Sequence, residues 1–342
     1  MSEIKLSVIV PTYNSSNTID RLINSLSNQI FNDFEIIFID DSSSDDTVKT
    51  IGKALENTNI KYQLFINERN MGPGYSRNKG MENSNGDFIV FIDSDDAVSE
   101  DHLNILYYNI KNYGSVFIKG LKVDENNELI DFKMDRFDSI IDLSRKNNNV
   151  LKAADIINLE LLMQIPFSFV FLLYKKDILL ENNIKFNEEF RYAEDTEFAI
   201  KYLTKCNEVK FVDEYTYYYY QEEGSLRQSS SLKRFESIQL LENLHTYFNG
   251  LSSEDPVFDE LRDKLVHSRI PKFIFGNMNY FFYNDYDKDE VFKKMEELDL
   301  FNKLKYFKTF SKGDWKFMLK IDLFLLSPDA YYNLWKRFKN RI

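Results

Sequence analysis

Along the first hundred residues, short runs that are mostly apolar alternate with stretches whose apolar positions recur every three or four residues. The runs 6–10, 34–39, 62–66 and 88–92 are rich in β-branched and aromatic residues, as strands buried on both faces require. Between them, Ile19, Leu22, Ile23, Leu26 and Ile30 mark one face of a helix capped near Asn17. Val48, Ile51 and Leu55 mark a second helix, started by Ser44, Asp45 and Asp46, and Gly72-Pro73-Gly74 opens a third through Met81. Four such alternations predict an α/β fold with a Rossmann-like, mainly parallel sheet flanked by helices.

The rhythm changes after a helix that begins near Ser99 and ends near Ile110. Residues 115–123 and 129–133 predict strands joined by a hairpin at 124–127, and 150–161 a helix. Another helix carries Phe198, Tyr202 and Leu203 inward, and strands follow at 209–212 and 215–220. From about residue 232 the pattern is helical, at 235–248, 257–283 and 291–298, with a kink at Pro271. The expected organisation is a domain over 1–231, with halves 1–115 and 116–231, and a helical C-terminal region over 232–342.

At 342 residues and 43% hydrophobic, the sequence has enough apolar material for two cores. Its net charge of −12 argues against nucleic acid as a partner, and an anionic substrate would need local neutralisation. A single cysteine, Cys206, excludes an internal disulfide. No apolar stretch is long enough for a signal peptide or a membrane span, so the expected location is cytoplasmic. Residues 301–342 are different: ten Lys/Arg against three Asp/Glu, with both tryptophans, Trp315 and Trp335. That tail suits contact with an anionic membrane, at the inner face of the cell membrane. It equally suits a helical bundle with solvated lysines, a homo-oligomer interface or a site for an anionic glycan.

The candidate chemistry lies where strands end. After 88–92 come Asp93-Ser94-Asp95-Asp96, three carboxylates in four positions that repel one another unless a cation sits among them. Mg²⁺ or Mn²⁺ suits such oxygen ligands, completed by substrate phosphates. The same residues also cap helices, and alone the motif does not choose. Ligands of parallel sheets bind beyond the carboxyl ends of the strands, and the other strands end in polar clusters too: Pro11 to Asn14, Asp40-Asp41 and Asn67 to Asn70. Tyr13 offers a ring on which a base can stack, and Asp41 an acceptor for a base N–H. Free N–H groups at the helix start beside Pro73 favour an anion, with Arg77 one turn in to reach a diphosphate or ribose.

Ser7-Val-Ile-Val-Pro-Thr-Tyr-Asn14, Ile39-Asp-Asp-Ser-Ser-Ser-Asp-Asp46, Gly74-Tyr-Ser-Arg-Asn-Lys-Gly80 and Phe91-Ile-Asp-Ser-Asp-Asp96 resemble the successive signatures of family 2 glycosyltransferases with the GT-A fold. The resemblance is close over about residues 5–115 and looser to about 230. It implies that Pro11, Tyr13 and Asp41 hold uridine, that Asn70 and Arg77 help hold the nucleotide, and that Asp93, Ser94 and Asp95 surround a Mn²⁺ or Mg²⁺ bound directly by Asp95. It further implies that Asp195 is the general base, that Glu194 orients it or binds the acceptor, and that Gly224, Ser225 and Arg227 belong to a loop closing over the diphosphate. The implied activity is inverting transfer from a UDP-sugar to a glycan or lipid-linked acceptor, in bacterial surface-polysaccharide synthesis. Alternatives of similar fold are a sugar-nucleotide nucleotidylyltransferase, which would want a Gly-rich basic loop where this chain has Pro-Thr-Tyr-Asn-Ser-Ser, and a noncatalytic nucleotide-binding or scaffold protein.

Overall fold

A computed structural model describes residues 4–56, 58–124, 137–220, 231–253, 255–308 and 315–338. Two compact units are formed, one of Met1–Glu160 with Gln164–Ser225, the other of Leu161–Met163 with Leu226–Ile342. In the first, β1 (Leu6–Thr12), β2 (Phe34–Asp40), β3 (Lys61–Ile66) and β4 (Phe88–Phe91) pair in parallel in the order β3-β2-β1-β4. Helices α1 (Ile19–Ser27), α2 (Thr47–Leu55) and α3 (Pro73–Glu82) connect them. Central β2 is buried at every position, and its sequence is apolar apart from Asp40 at its end and Glu35, which accepts the Ser7 hydroxyl, whereas edge strand β3 is exposed at both ends.

The apolar face of α1 ends earlier than its spacing implies. The Asn28 N–H bonds back to the Asn24 carbonyl, so Ile30 falls beyond the helix and is 56% exposed. Its place is taken by buried Gln29, whose side-chain amide donates to the Ser99 carbonyl. The acid-ended β4 leads first to a short strand, β5 (Ala97–Val98), and the helix expected from near Ser99 is α4 (His102–Ile110).

Beyond β6 (Ser115–Val123), the expected strand at 129–133 and hairpin at 124–127 fall largely outside the described residues. There follow α5 (Asp138–Lys146), β7 (Val150–Lys152), α6 (Ala153–Leu161), β8 (Leu172–Lys175), α7 (Lys176–Glu181), α8 (Glu194–Leu203) and β9 (Glu208–Tyr220). β7 takes the first three residues of the helix expected over 150–161, pairing with β9. The strands expected at 209–212 and 215–220 are one. Their apparent break is a bulge, where the β6 partners jump from Phe211 to Tyr215 to Tyr217 and Asp213 pairs with the buried Lys119. The sheet order is β3-β2-β1-β4-β8-β6-β9-β5, with β8 antiparallel to both neighbours. Behind β4, Phe91 meets Phe186 and Phe198 edge-on at centroid distances of 5.3 and 5.7 Å.

The second unit is helical: α9 (Ile238–Leu251), α10 (Val257–Lys264), α11 (Ile270–Tyr283), α12 (Lys288–Glu297), α13 (Leu300–Lys308), α14 (Trp315–Leu326) and α15 (Pro328–Phe338). Pro271 does not simply kink its helix. It sits in the first turn of α11 after a π-turn over Leu265–Arg269, whose wider spacing makes room for a residue without an N–H. Phe275 packs on Phe317 and Phe324, and Phe282 on Trp335, so these tail aromatics serve the unit's own packing. Among the described residues no helix is long and apolar enough to cross a membrane.

Two glycines test this packing. A Cβ on buried Gly86 would lie 2.7 Å from the Ser7 nitrogen, a backbone atom of β1 that no rotamer change can move, whereas Gly52 in α2 has nothing within 4 Å. Gly86→Ala should destabilise by about 1–3 kcal/mol and Gly52→Ala stabilise by up to about 1 kcal/mol, read as urea-denaturation midpoints.

Candidate active site

The carboxyl ends of β1, β2 and β4 are tied together by short polar residues. The Thr12 hydroxyl donates to Asp40 (3.1 Å), Ser15 and Ser94 share a hydroxyl hydrogen bond of 2.7 Å, and the Thr18 hydroxyl donates to the Ser94 carbonyl. Pro11 is half-buried at the end of β1, and Tyr13 beyond it is 45% exposed, leaving its ring available to a ligand.

Asp41 is held by the protein's own donors. It is 4% exposed, and its carboxylate accepts from the Asn67 side chain (2.8 Å) and from the N–H groups of Met71 (2.8 Å) and Gly72 (2.7 Å). The anion at the start of α3 is thus Asp41 itself, and one acceptor position remains on its Oδ2. Gly72 has φ of 95°, a conformation that suits glycine and turns its N–H toward the acid. Asn70 also faces the protein, accepting from Arg191 (2.7 Å).

Arg77 lies deeper than a ligand-facing residue. It is 6% exposed, with its guanidinium donating to Asp93 (3.0 Å) and to Glu194 (3.1 Å) and stacked 4.4 Å above the Phe169 ring. Its Nε is buried without a hydrogen-bond partner. Next to it, Asn78 exchanges two 2.9 Å hydrogen bonds with the Phe186 backbone, fixing α3 to the segment that leads into α8. α8 opens after Ala193, whose φ is 65°, and presents Glu194 inward and half-exposed Asp195 outward.

The acids are unequal. Burial pushes the Glu194 carboxyl up and the Asp195 charge adds to this; Arg77 opposes both, and the result is about 7. Burial works to lower the Arg77 pKa, and Asp93, Glu194 and Asp195 together reverse it, so the guanidinium stays charged. Asp96 is fully buried, receives the Tyr217 hydroxyl at 2.5 Å and the Tyr220 N–H at 3.1 Å, and is pushed well above the ordinary carboxylate range by burial and then by Asp95 and Asp93. Asp93 and Asp95 are half-buried at the rim, and Arg21 donates to the Asp95 carbonyl.

Among the described residues no group of three or more His, Cys, Asp or Glu side chains is placed to hold a metal ion. Asp93 and Asp95 offer two carboxylates, one with an oxygen engaged by Arg77, a donor set that fits a hard dication completed by water and substrate phosphates rather than a protein cage. Ser225 and Arg227, with Gly224, lie outside the described residues. Sequence reasoning gave no role to Asn78, which lies inside the quoted motif Gly74–Gly80, or to Arg191, three residues before Glu194; both brace the site.

Residues 7–173 match the sequence profile of the family described as Glycosyl transferase family 2. The chain is 29% identical over 219 residues to the poly(ribitol-phosphate) beta-N-acetylglucosaminyltransferase TarS of Staphylococcus aureus, covering 63% of this chain and 35% of that one. Against the GalNAc(5)-diNAcBac-PP-undecaprenol beta-1,3-glucosyltransferase of Campylobacter jejuni it is 34% identical over 203 residues, 59% of this chain and 60% of the relative. These curated relatives are thus matched over about a third and three-fifths of their own length. The crystal structure of S. aureus TarS 1-349 superposes with a TM-score of 0.67 over 99% of this chain and 92% of that one, at 22% identity, a likeness of fold.

Two measurements test the electrostatics. Arg77→Met leaves two carboxylates without their cation and should cost about 3–5 kcal/mol of stability. Because Glu194 is raised from 4.5 to about 7, the folded state holds that proton more tightly, and the stability it contributes is lost as pH rises across that window. Wild type should therefore lose stability relative to Glu194→Gln between those pH values; a pH-independent difference between the two would refute the raised carboxyl.

Proposed function

We propose that this chain, which belongs to glycosyl transferase family 2 through residues 7–173, transfers a sugar with inversion from a UDP-sugar to a glycan or lipid-linked acceptor in bacterial surface-polysaccharide synthesis. One observation carries the reading: Arg77 joins Asp93 at the end of β4 to Glu194 at the start of α8, so an acid pair suited to donor diphosphate stands beside a pair suited to proton removal. The family match stops before Glu194, and the role of the second pair rests on this geometry.

In this reading the Tyr13 ring stacks on uracil, with Pro11 beneath it, and the remaining acceptor position of Asp41 takes a base N–H. Asn70, braced by Arg191, lines the nucleotide side, and Ser225 and Arg227 close over the diphosphate. Ser94 holds the turn that separates Asp93 from Asp95. Mn²⁺ or Mg²⁺ held by Asp95, with Asp93 beside it, would supply Lewis-acid stabilisation of the leaving diphosphate. Asp195 accepts the acceptor hydroxyl's proton as that oxygen attacks the anomeric carbon, and Glu194, anchored on Arg77, fixes the turn that aims it. Attack from the face opposite the diphosphate inverts the centre, giving a β product from an α-linked donor. Both relatives carry "beta" in their names, and one names a polymer acceptor and the other an undecaprenol-linked one, which supports this acceptor class.

The test is UDP release from a panel of UDP-sugars, with Mn²⁺ and with chelator. Asp195→Asn should retain UDP binding and lose turnover by about 10²-fold or more. Asp95→Ala should weaken donor binding in Mn²⁺. Turnover near that of wild type in both variants would sink the proposal.

A further inference from the structure

The helix α14 (Trp315–Leu326) has two unlike faces. Phe317 packs on Phe275, and Ile321 and Phe324 are buried to 1% and 0% exposure, forming the face that belongs to the unit's core. On the opposite side Leu319 and Leu326 are 56% and 84% exposed, with Asp322 between them on the same face and exposed Lys316 and Lys320 and half-buried Leu323 alongside. Phe317, Phe324 and Trp335, aromatics that made the tail look suited to lipid at the level of sequence, pack within the unit, and the outward residues are leucines beside lysines and one aspartate.

We infer that this outward stripe of α14 docks on an anionic lipid surface. Leucines spaced along one helix face enter the headgroup boundary while the stems of Lys316 and Lys320 lie along apolar surface and carry their ammonium groups to the phosphates. Charge agrees: residues 301–342 hold ten Lys/Arg against three Asp/Glu in a chain whose net charge is −12, so a negative surface attracts this end and repels the rest. Lys336 and Arg337 at the end of α15 (Pro328–Phe338) are also exposed and add to the attraction. A second copy of the chain is the poorer occupant, because a two-fold contact through the stripe would set its lysines against themselves. The inference does not rest on the transferase reading, and its measurement requires no donor or turnover.

The experiment is cosedimentation of the full chain with phosphatidylcholine vesicles and with vesicles containing phosphatidylglycerol, at low and high salt. Binding is expected to the anionic vesicles alone and to weaken with salt. The double variant Leu319→Ser/Leu326→Ser should bind about tenfold more weakly or worse, with its unfolding transition retained because both side chains are exposed. Lys316→Gln/Lys320→Gln should weaken binding and flatten its salt dependence. Equal binding to both vesicle types, no binding at low salt, or unchanged binding of the leucine variant would overturn the inference. Self-association in solution that the leucine variant abolishes would reassign the stripe to a second copy.

Discussion

A buried guanidinium between two carboxylates is the contact on which the arrangement of the first unit turns. Asp93 and Glu194 are far apart in sequence, and each would be costly to hold near the other without Arg77. The surroundings keep the contact dry and immobile: Phe169 covers one face of the guanidinium, and the paired hydrogen bonds of Asn78 prevent the segment at Phe186 from drifting off α3. A salt bridge at the surface would hold neither strand end nor helix start, since water competes for both partners.

Five carboxylates, Asp93, Asp95, Asp96, Glu194 and Asp195, lie after β4 and at the start of α8, three of them, Asp93, Glu194 and Asp195, acting on Arg77, and the protein limits their mutual repulsion by treating them differently. Asp96 is withdrawn into the sheet and held toward its neutral form, with the Tyr217 hydroxyl as partner. Glu194 titrates near neutrality in place of carrying a fixed charge. The acids left at the rim, Asp93, Asp95 and Asp195, are half-buried and keep contact with solvent. Division of labour among like groups by environment is the usual means of running acid and base chemistry in one cleft.

The sequence revealed the strands that are buried on both faces, because an apolar run has one reading there, and it revealed the acids that end them. It hid features whose cause lies elsewhere in the chain. The burial face of α3 consists of Gly74, Ser76, Arg77, Asn78, Gly80 and Met81, of which only the last is a large apolar residue, so no apolar period is left to read. Arg77 therefore resembled a solvent-facing arginine. β8 was hidden inside the apolar stretch 165–174, which has no alternation to mark where a strand begins, and the break at 212–214 resembled a turn because a bulge and a turn both interrupt alternation. The partners of Asp41 are backbone N–H groups thirty residues on, which no side-chain pattern encodes.

The engagement of Asp41 bears on the chemistry. With the N–H groups of Met71 and Gly72 on Asp41 and the guanidinium of Arg77 on Asp93 and Glu194, two sources of positive potential read from the sequence as diphosphate partners are already engaged by the protein's own acids. Arg69 and Arg191 stand at the exposed rim, where water screens them. A diphosphate entering beside Asp93 and Asp95 would meet those carboxylates as well as Arg21, which donates to the Asp95 carbonyl, and its charge grows as it leaves. In the proposed transfer, a dication shared between Asp95 and the donor phosphates would offset repulsion at the point where the charge develops.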